Sequence, residues 1–288
     1  MSDLLNAVIQ GILLGGLYAL FATGLSLAFG VMRFVNLAHG DLAILAAYLM
    51  LSSSATIGMS PWLALPIVVI GGAAVGYATQ RALFNRTLGR DPMPGILVTF
   101  GLGIVIQNLL LERYSFTQQR LDVGSIVTES ISLPGGISVG LLPLLILVVA
   151  TVLLVALELV LRFTRFGRAL RATADDARTA QLVGIDDRRM YGAAMAIAFG
   201  TVAVAGLFVG SRTSFGPAAG PTLLLFGFEA VVIGGLGSLW GTLLGGIVLG
   251  VSQTVANELS IGWDLLAGHL AFLAVLLLRP NGILQARS

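Results

Sequence analysis

Apolar residues gather in nine stretches, at 4–29, 42–58, 62–84, 95–111, 137–161, 190–210, 222–237, 239–256 and 265–278. A bilayer core about 30 Å thick takes about 20 residues of helix, so the pattern predicts membrane helices. The stretches between 222 and 256 are short and closely joined, and one of them can be re-entrant rather than spanning. The expected fold is all-α: a polytopic transmembrane helical bundle of eight or nine membrane helices with short broken or re-entrant segments. Residues 1–288 form a single transmembrane domain.

Composition supports this. The chain is 57% hydrophobic and 10% charged, against about 25% charged in a soluble domain. All 16 basic residues are arginine, and cytoplasmic loops collect them. Placing Arg33, Arg81, Arg86, Arg90, the loop from Arg162 to Arg189, Arg279 and Arg287 inside accounts for 13 of the 16. Arg113, Arg120 and Arg212 then lie outside. This makes the C terminus cytoplasmic. Nine spans put the N terminus outside and eight put it inside; the lack of a basic residue before Arg33 favours outside. Asp3 stands where a secretory leader carries positive charge, so no cleaved leader is expected.

The residue inventory excludes several chemistries. Without lysine the chain has no Walker P-loop, so energy from ATP must come through a partner subunit. Without cysteine it has neither disulfides nor thiolate metal sites. His39 and His269 are far apart in sequence. No catalytic residues and no resident metal or cofactor are expected. The segment 112–136 carries Glu112, Asp122, Glu129 and the turn signal Pro134-Gly135-Gly136, but is too short for a ligand-binding domain.

Small residues at helical spacing let membrane helices approach closely. Gly237, Gly241 and Gly245 would form one stripe, with further pairs at Gly246/Gly250, Gly11/Gly15 and Gly72/Gly76. Glu158 stands four residues before Arg162, a spacing that predicts an interfacial ion pair.

Two polar places interrupt the apolar stretches. The first is Asn36-Leu37-Ala38-His39-Gly40-Asp41. Asp41 can cap the following helix, or the segment can be a polar break that meets a transported solute. The second is Glu229, just beyond the helix-breaking Gly216-Pro217-Ala218-Ala219-Gly220-Pro221. A carboxylate at a helix centre costs about 2.5–3.5 kcal/mol on insertion scales and should face the bundle interior. Broken segments in both halves of a chain point to a central site. The basic loop 162–189 holds a short helix, with Thr173 as cap, Asp175 and Asp176 in its first turn and Gly184 at its end. Ala177, Ala180 and Val183 share an apolar face. That helix either docks in a partner groove or lies on anionic lipid.

Five segments together resemble the LivH-type permease of ABC importers for branched-chain and other hydrophobic amino acids. They are Gly15-Gly-Leu-Tyr-Ala-Leu20, Asn36-Leu-Ala-His-Gly-Asp41, Arg168-Ala-Leu-Arg-Ala-Thr173 through Gly184-Ile185, Glu229-Ala-Val-Val-Ile-Gly-Gly-Leu-Gly237 and Arg279-Pro-Asn-Gly-Ile-Leu284. The resemblance implies a multi-pass protein of the bacterial cytoplasmic (inner) membrane that binds no nucleic acid. It implies a second related permease subunit, two ATPase subunits that bind ATP and Mg, and a periplasmic or extracellular substrate-binding protein. It would make Asp175, Asp176, Ala177, Ala180, Val183 and Gly184 a coupling helix. The two polar places make Asn36, His39, Asp41, Glu229 and Gly235 the candidates for the substrate pathway. Similar permeases also serve urea and short amides. The competing reading is an ion-coupled secondary transporter or channel for a small solute, with Glu229 or Asp41 as the cation site.

Overall fold

A computed structural model describes residues 2–33, 35–87, 93–133 and 137–284. Arg90, the turn Pro134-Gly135-Gly136 and Arg287 lie outside the described residues. The elements run α1 (Ser2–Met32), α2 (His39–Ile57), α3 (Pro61–Ala82), α4 (Met93–Tyr114), β1 (Ser130–Leu133), β2 (Ile137–Gly140), α5 (Leu141–Phe163), α6 (Arg165–Asp175), α7 (Ala177–Leu182), α8 (Asp187–Arg212), α9 (Gly220–Gly234), α10 (Leu239–Leu259) and α11 (Asp264–Leu278). Among the described residues seven helices, α1 to α5, α8 and α10, are long and apolar enough to cross a membrane. The apolar helices α9 and α11 have 15 residues each, or about 22 Å at 1.5 Å per residue. Each of the nine apolar stretches thus contains a helix.

The expectation of helix alone needs one correction. Residues 137–140 form a strand instead of the start of a span, paired antiparallel from Ser130↔Gly140 to Leu133↔Ile137. Ser130-Ile-Ser-Leu and Ile137-Ser-Val-Gly alternate apolar and small polar residues, the two-residue period of a strand.

Helices α1 and α8 form the centre. Ala19, Leu20 and Ala22 of α1 and Ala194, Met195, Ala205 and Leu207 of α8 are fully buried. The outer faces of α3, α4, α5 and α11 expose Ile67, Ile70, Leu97, Phe100, Val152, Leu266 and Leu270. Apolar side chains of this kind suit a lipid solvent. Glycines set the closest approaches. Gly11 and Gly15 of α1 face Gly250 and Gly246 of α10 across an antiparallel contact, and Gly72 and Gly76 seat α3 on α8. The proposed stripe of three is divided. Gly241 and Gly245 abut α9, whereas Gly237 precedes α10 in a turn with φ 81°. A left-handed backbone there stops the helical period from reaching back to it.

The basic segments gather at one end of the bundle. Gly30 near the end of α1 meets Gly237, Gly235 meets Leu284 of the C-terminal tail, and Gly192 near the start of α8 meets Tyr77 near the end of α3. Glu158 and Arg162 make no ion pair; the Arg162 guanidinium instead lies 5.6 Å from the centre of the Phe163 ring.

Candidate functional site

Two helices begin inside the bundle, and their first turns meet. After α1 the chain turns back so that α2 starts beside the middle of α1, not at its end. The His39 Nε2–H donates to the Phe21 carbonyl at 3.0 Å, and the two rings meet edge-on at 5.0 Å. Asn36 organises the return: its Oδ1 accepts from the Ala38 N–H at 3.0 Å and its carbonyl accepts from the His39 N–H at 3.1 Å. Thr99 of α4 accepts from the Leu37 N–H at 3.1 Å.

Asp41 is not the cap of α2. The cap position is Ala38, with no side-chain bond, and Asp41 lies in the first turn, 3% exposed. The reason is that Asn36 already closes the turn, so the helix starts earlier than its apolar run. The freed carboxylate points sideways. Its Oδ1 accepts from Gln107 Nε2 of α4 at 2.9 Å, and it rests against the backbone of Gly220, the first residue of α9. Gly40 and Gly220 have no room for a Cβ, because Gly40 lies on the Gly220 carbonyl and Gly220 on the Asp41 carboxylate. Pro221 at the helix start supplies the break expected from the Gly/Pro run. A helix N-terminus favours a neighbouring negative charge, so Asp41 joins the two interrupted helices.

Glu229 lies in a separate cluster, two turns further along α9 and 2% exposed. Its Oε1 is 2.5 Å from Nδ1 of His269 on α11, while its Oε2 is buried with no partner. Phe226, one turn before Glu229, stacks on the His269 ring at 6.3 Å and meets the Tyr18 ring of α1 at 5.3 Å, tilted by 33°. The Tyr18 hydroxyl donates to Gln253 Oε1 of α10 at 2.7 Å, and Gln253 Nε2 is buried without a partner. Gly268 of α11 backs directly on that amide. Four helices thus place a carboxylate, an imidazole, a phenol and an amide together.

The structure therefore unites Asn36, His39 and Asp41, and keeps Glu229 apart from them. Gly235 belongs to neither group. It ends α9 with φ 112°, and the tail folds onto this end through Leu284 N–H to Gly234 O and Ile283 N–H to Ile233 O, both 2.9 Å. A crevice of about 440 Å³ between α2, α3 and α8 is lined by apolar residues such as Leu45, Leu49, Ile67 and Phe199 and contains none of the site residues. Sequence reasoning missed Gln253 and Gln107, and it named Gly220, Tyr18 and His269 without giving them a place in a site. A single polar residue inside an apolar run, as with His269 in Leu-Leu-Ala-Gly-His-Leu-Ala-Phe, was the available signal.

In the loop, one predicted helix is two. Thr173 does not cap; it is buried in α6, where its hydroxyl donates to the Ala169 carbonyl. Asp176 caps α7 instead, accepting from the N–H groups of Arg178 and Thr179 at 2.9 and 3.2 Å. Aspartate takes the cap because a short carboxylate reaches both orphan donors. Those bonds, led by one from the Thr179 hydroxyl, hold its carboxyl below the usual range. Asp175 ends α6. Gly184 stops α7 with φ 86°, and the Ile185 N–H reaches back to Ala180 O. The expected apolar face is split: Ala180 is buried in the chain's own bundle and Ala177 is half-buried, whereas Val183 and the adjacent Leu182 are 74% and 86% exposed.

A multi-pass helical bundle with polar groups inside its membrane-depth helices is the architecture of a membrane transport protein. Residues 7–278 match the family model described as branched-chain amino acid transport system / permease component, and the chain belongs to that family. It is a multi-pass transport permease. It is 27% identical, over 97% of its length and 95% of the relative's, to the high-affinity branched-chain amino acid transport system permease protein BraD of Pseudomonas aeruginosa. It is 30% identical over 96% of its length to the probable branched-chain amino acid transport permease protein LivH of Methanocaldococcus jannaschii, covering 91% of it. A fructose import permease, FrcC of Rhizobium meliloti, is 29% identical over 75% of this chain and 61% of its own. No solved structure matches this chain.

Proposed function

We propose that this permease forms half of the membrane pathway of an ABC importer for branched-chain or other hydrophobic amino acids. It pairs with a second related permease in the cytoplasmic membrane. Two ATPase subunits bind ATP and Mg beneath it, and a separate binding protein delivers the substrate. The single observation that carries this reading is the family match across residues 7–278. The names of the relatives supply the substrate class.

The grouping of arginine-rich ends favours a cytoplasmic C terminus, with α6 and α7 on the ATPase side. Leu182 and Val183 then offer the apolar contact, and Asp175, Asp176, Ala177, Ala180 and Gly184 set the shape and position of the short helix behind it. Of the pathway candidates, Glu229 belongs to the route. Asn36, His39 and Asp41 hold the two broken helices, and Gly235 lets the tail lock the end of α9.

The test is reconstitution with the partner permease, ATPases and binding protein in proteoliposomes. Uptake of leucine, isoleucine or valine should require ATP and all subunits. Uptake by this chain alone under a pH gradient would replace the reading with an ion-coupled transporter, and uptake of fructose but no amino acid would replace its substrate class.

A further inference from the structure

The geometry points to Glu229, Gln253, His269 and Tyr18 as a membrane-embedded site for the primary ammonium group of the transported solute. The adjoining carboxylate of that solute would accept from the Gln253 amide. This inference rests on the amino acid reading above and names the part of the chain that recognises the substrate.

The argument starts from two loose ends. Glu229 and Gln253 are 2% and 4% exposed, and each has one end of its polar head bonded and the other open. In a membrane no bulk water is at hand to satisfy such atoms, so open ones are costly. The open ends are opposite in kind. Glu229 Oε2 is a carboxyl oxygen whose lone pairs need a donor; Gln253 Nε2 is a donor and needs an acceptor. An α-amino acid carries both on adjacent carbons, and its ammonium forms the stronger, charge-assisted bond with a carboxylate.

The surroundings hold the open ends in place. Tyr18 donates to Gln253 Oε1, which leaves the amide NH₂ as the free end. His269 holds Glu229 Oε1, which leaves Oε2. The rings of Tyr18, Phe226 and His269 pack together beside these groups, and aromatic rings are favourable neighbours for an ammonium. Gly268 spares the Gln253 amide a neighbouring Cβ. The His269 side chain, 41% exposed, is the part of the cluster that reaches the surface of the chain.

The test uses the purified complex with its partner permease and ATPases in nanodiscs, without the binding protein, and radiolabelled leucine as the probe. Isoamylamine keeps the ammonium and lacks the carboxylate; 4-methyl-2-hydroxypentanoate does the reverse. Wild type should bind leucine saturably and favour the amine over the hydroxy acid as competitor. Glu229→Gln should weaken leucine binding about tenfold to hundredfold and abolish that preference. Gln253→Leu should weaken leucine while leaving competition by isoamylamine intact. If Glu229→Gln fails to assemble, the Gln253→Leu comparison decides alone. Absence of saturable leucine binding in wild type, an unchanged preference in Glu229→Gln, or equal loss of leucine and amine in Gln253→Leu overturns the site. Failure of wild-type proteoliposomes to import any amino acid would instead overturn the reading on which it rests.

Discussion

Asp41 and Glu229 are both acids buried in broken or short membrane helices, yet their surroundings differ. Asp41 has Gln107 on one side and the start of α9 on the other, with Gly40, Gly103 and Gly220 shaped around it. Glu229 has His269 on one oxygen and nothing on the second, and the amide of Gln253 in the same cluster is also open. The Asp41 carboxylate is held between its neighbours. The Glu229 carboxyl keeps one oxygen without a partner, which is the basis for the site proposed above. The first region is not free of loose ends, since Asn36 Nδ2 is unpartnered, but its carboxylate is held.

The comparison breaks most readily at Gly220. Gly220→Val drives a side chain into the Asp41 carboxylate and backbone. The cost should exceed the about 1–3 kcal/mol of ordinary overpacking and remove folded protein from the membrane. Gly101→Val, which meets nothing within 4 Å, should leave the folded yield unchanged in fluorescence-detected size exclusion. Equal yields for the two would refute the seal between α2 and α9.

Asp41→Leu comes next. It strands Gln107 and the N-terminus of α9, and bonds to charged groups are worth about 1.5–3 kcal/mol each. Thermal unfolding in detergent should show a loss of that order, with Asp41→Asn recovering most of it and supporting uptake.

For Glu229→Gln the order reverses. The amide keeps an acceptor for His269, so melting should stay within about 1 kcal/mol of wild type, while ATP-driven uptake falls about tenfold or more. A variant pair in which Asp41→Asn harms uptake more than Glu229→Gln would exchange the roles of the two acids.

Asp176 supplies the smallest effect and a third environment, outside the membrane. Its carboxyl is held below the ordinary value of 3.8 by the Thr179 hydroxyl and the N–H groups of Thr179 and Arg178. A depressed carboxyl contributes its stability in full above the ordinary value and loses it as pH falls through the lower one. Amide protection in α7 should therefore be flat from neutral to mildly acid pH and drop only below the ordinary carboxylate range. Asp176→Ala should show reduced protection already at neutral pH, with a modest loss of ATP-coupled uptake.

Much of this was legible along the chain. Nine apolar runs became nine helices because a lipid solvent demands apolar surface and internally satisfied backbone whatever the packing. The Gly216–Pro221 run lies at the junction between α8, which ends at Arg212, and α9, which starts at Gly220 with Pro221 in its first turn, and Gly184 ended α7 by the left-handed turn that glycine adopts without strain. The pairing of strands 130–133 and 137–140 was hidden because their isoleucines and valine also suit the start of a membrane helix. Thr173 was misassigned because a cap is defined by which N–H groups are orphaned, and α6 and α7 divide at Asp176.

The sequence by itself determined the membrane class, the number of apolar helices, the place of the breaks and the lack of an ATP-hydrolysing loop. Each of these depends on residue type and local spacing. Only the tertiary structure decided which polar groups meet. Tyr18, Glu229, Gln253 and His269 come from four helices, and Asp41 finds Gly220 across almost the length of the chain. Which side chains face each other follows from how the helices pack, and close packing through glycine is a property of pairs of surfaces that no single stretch of sequence contains.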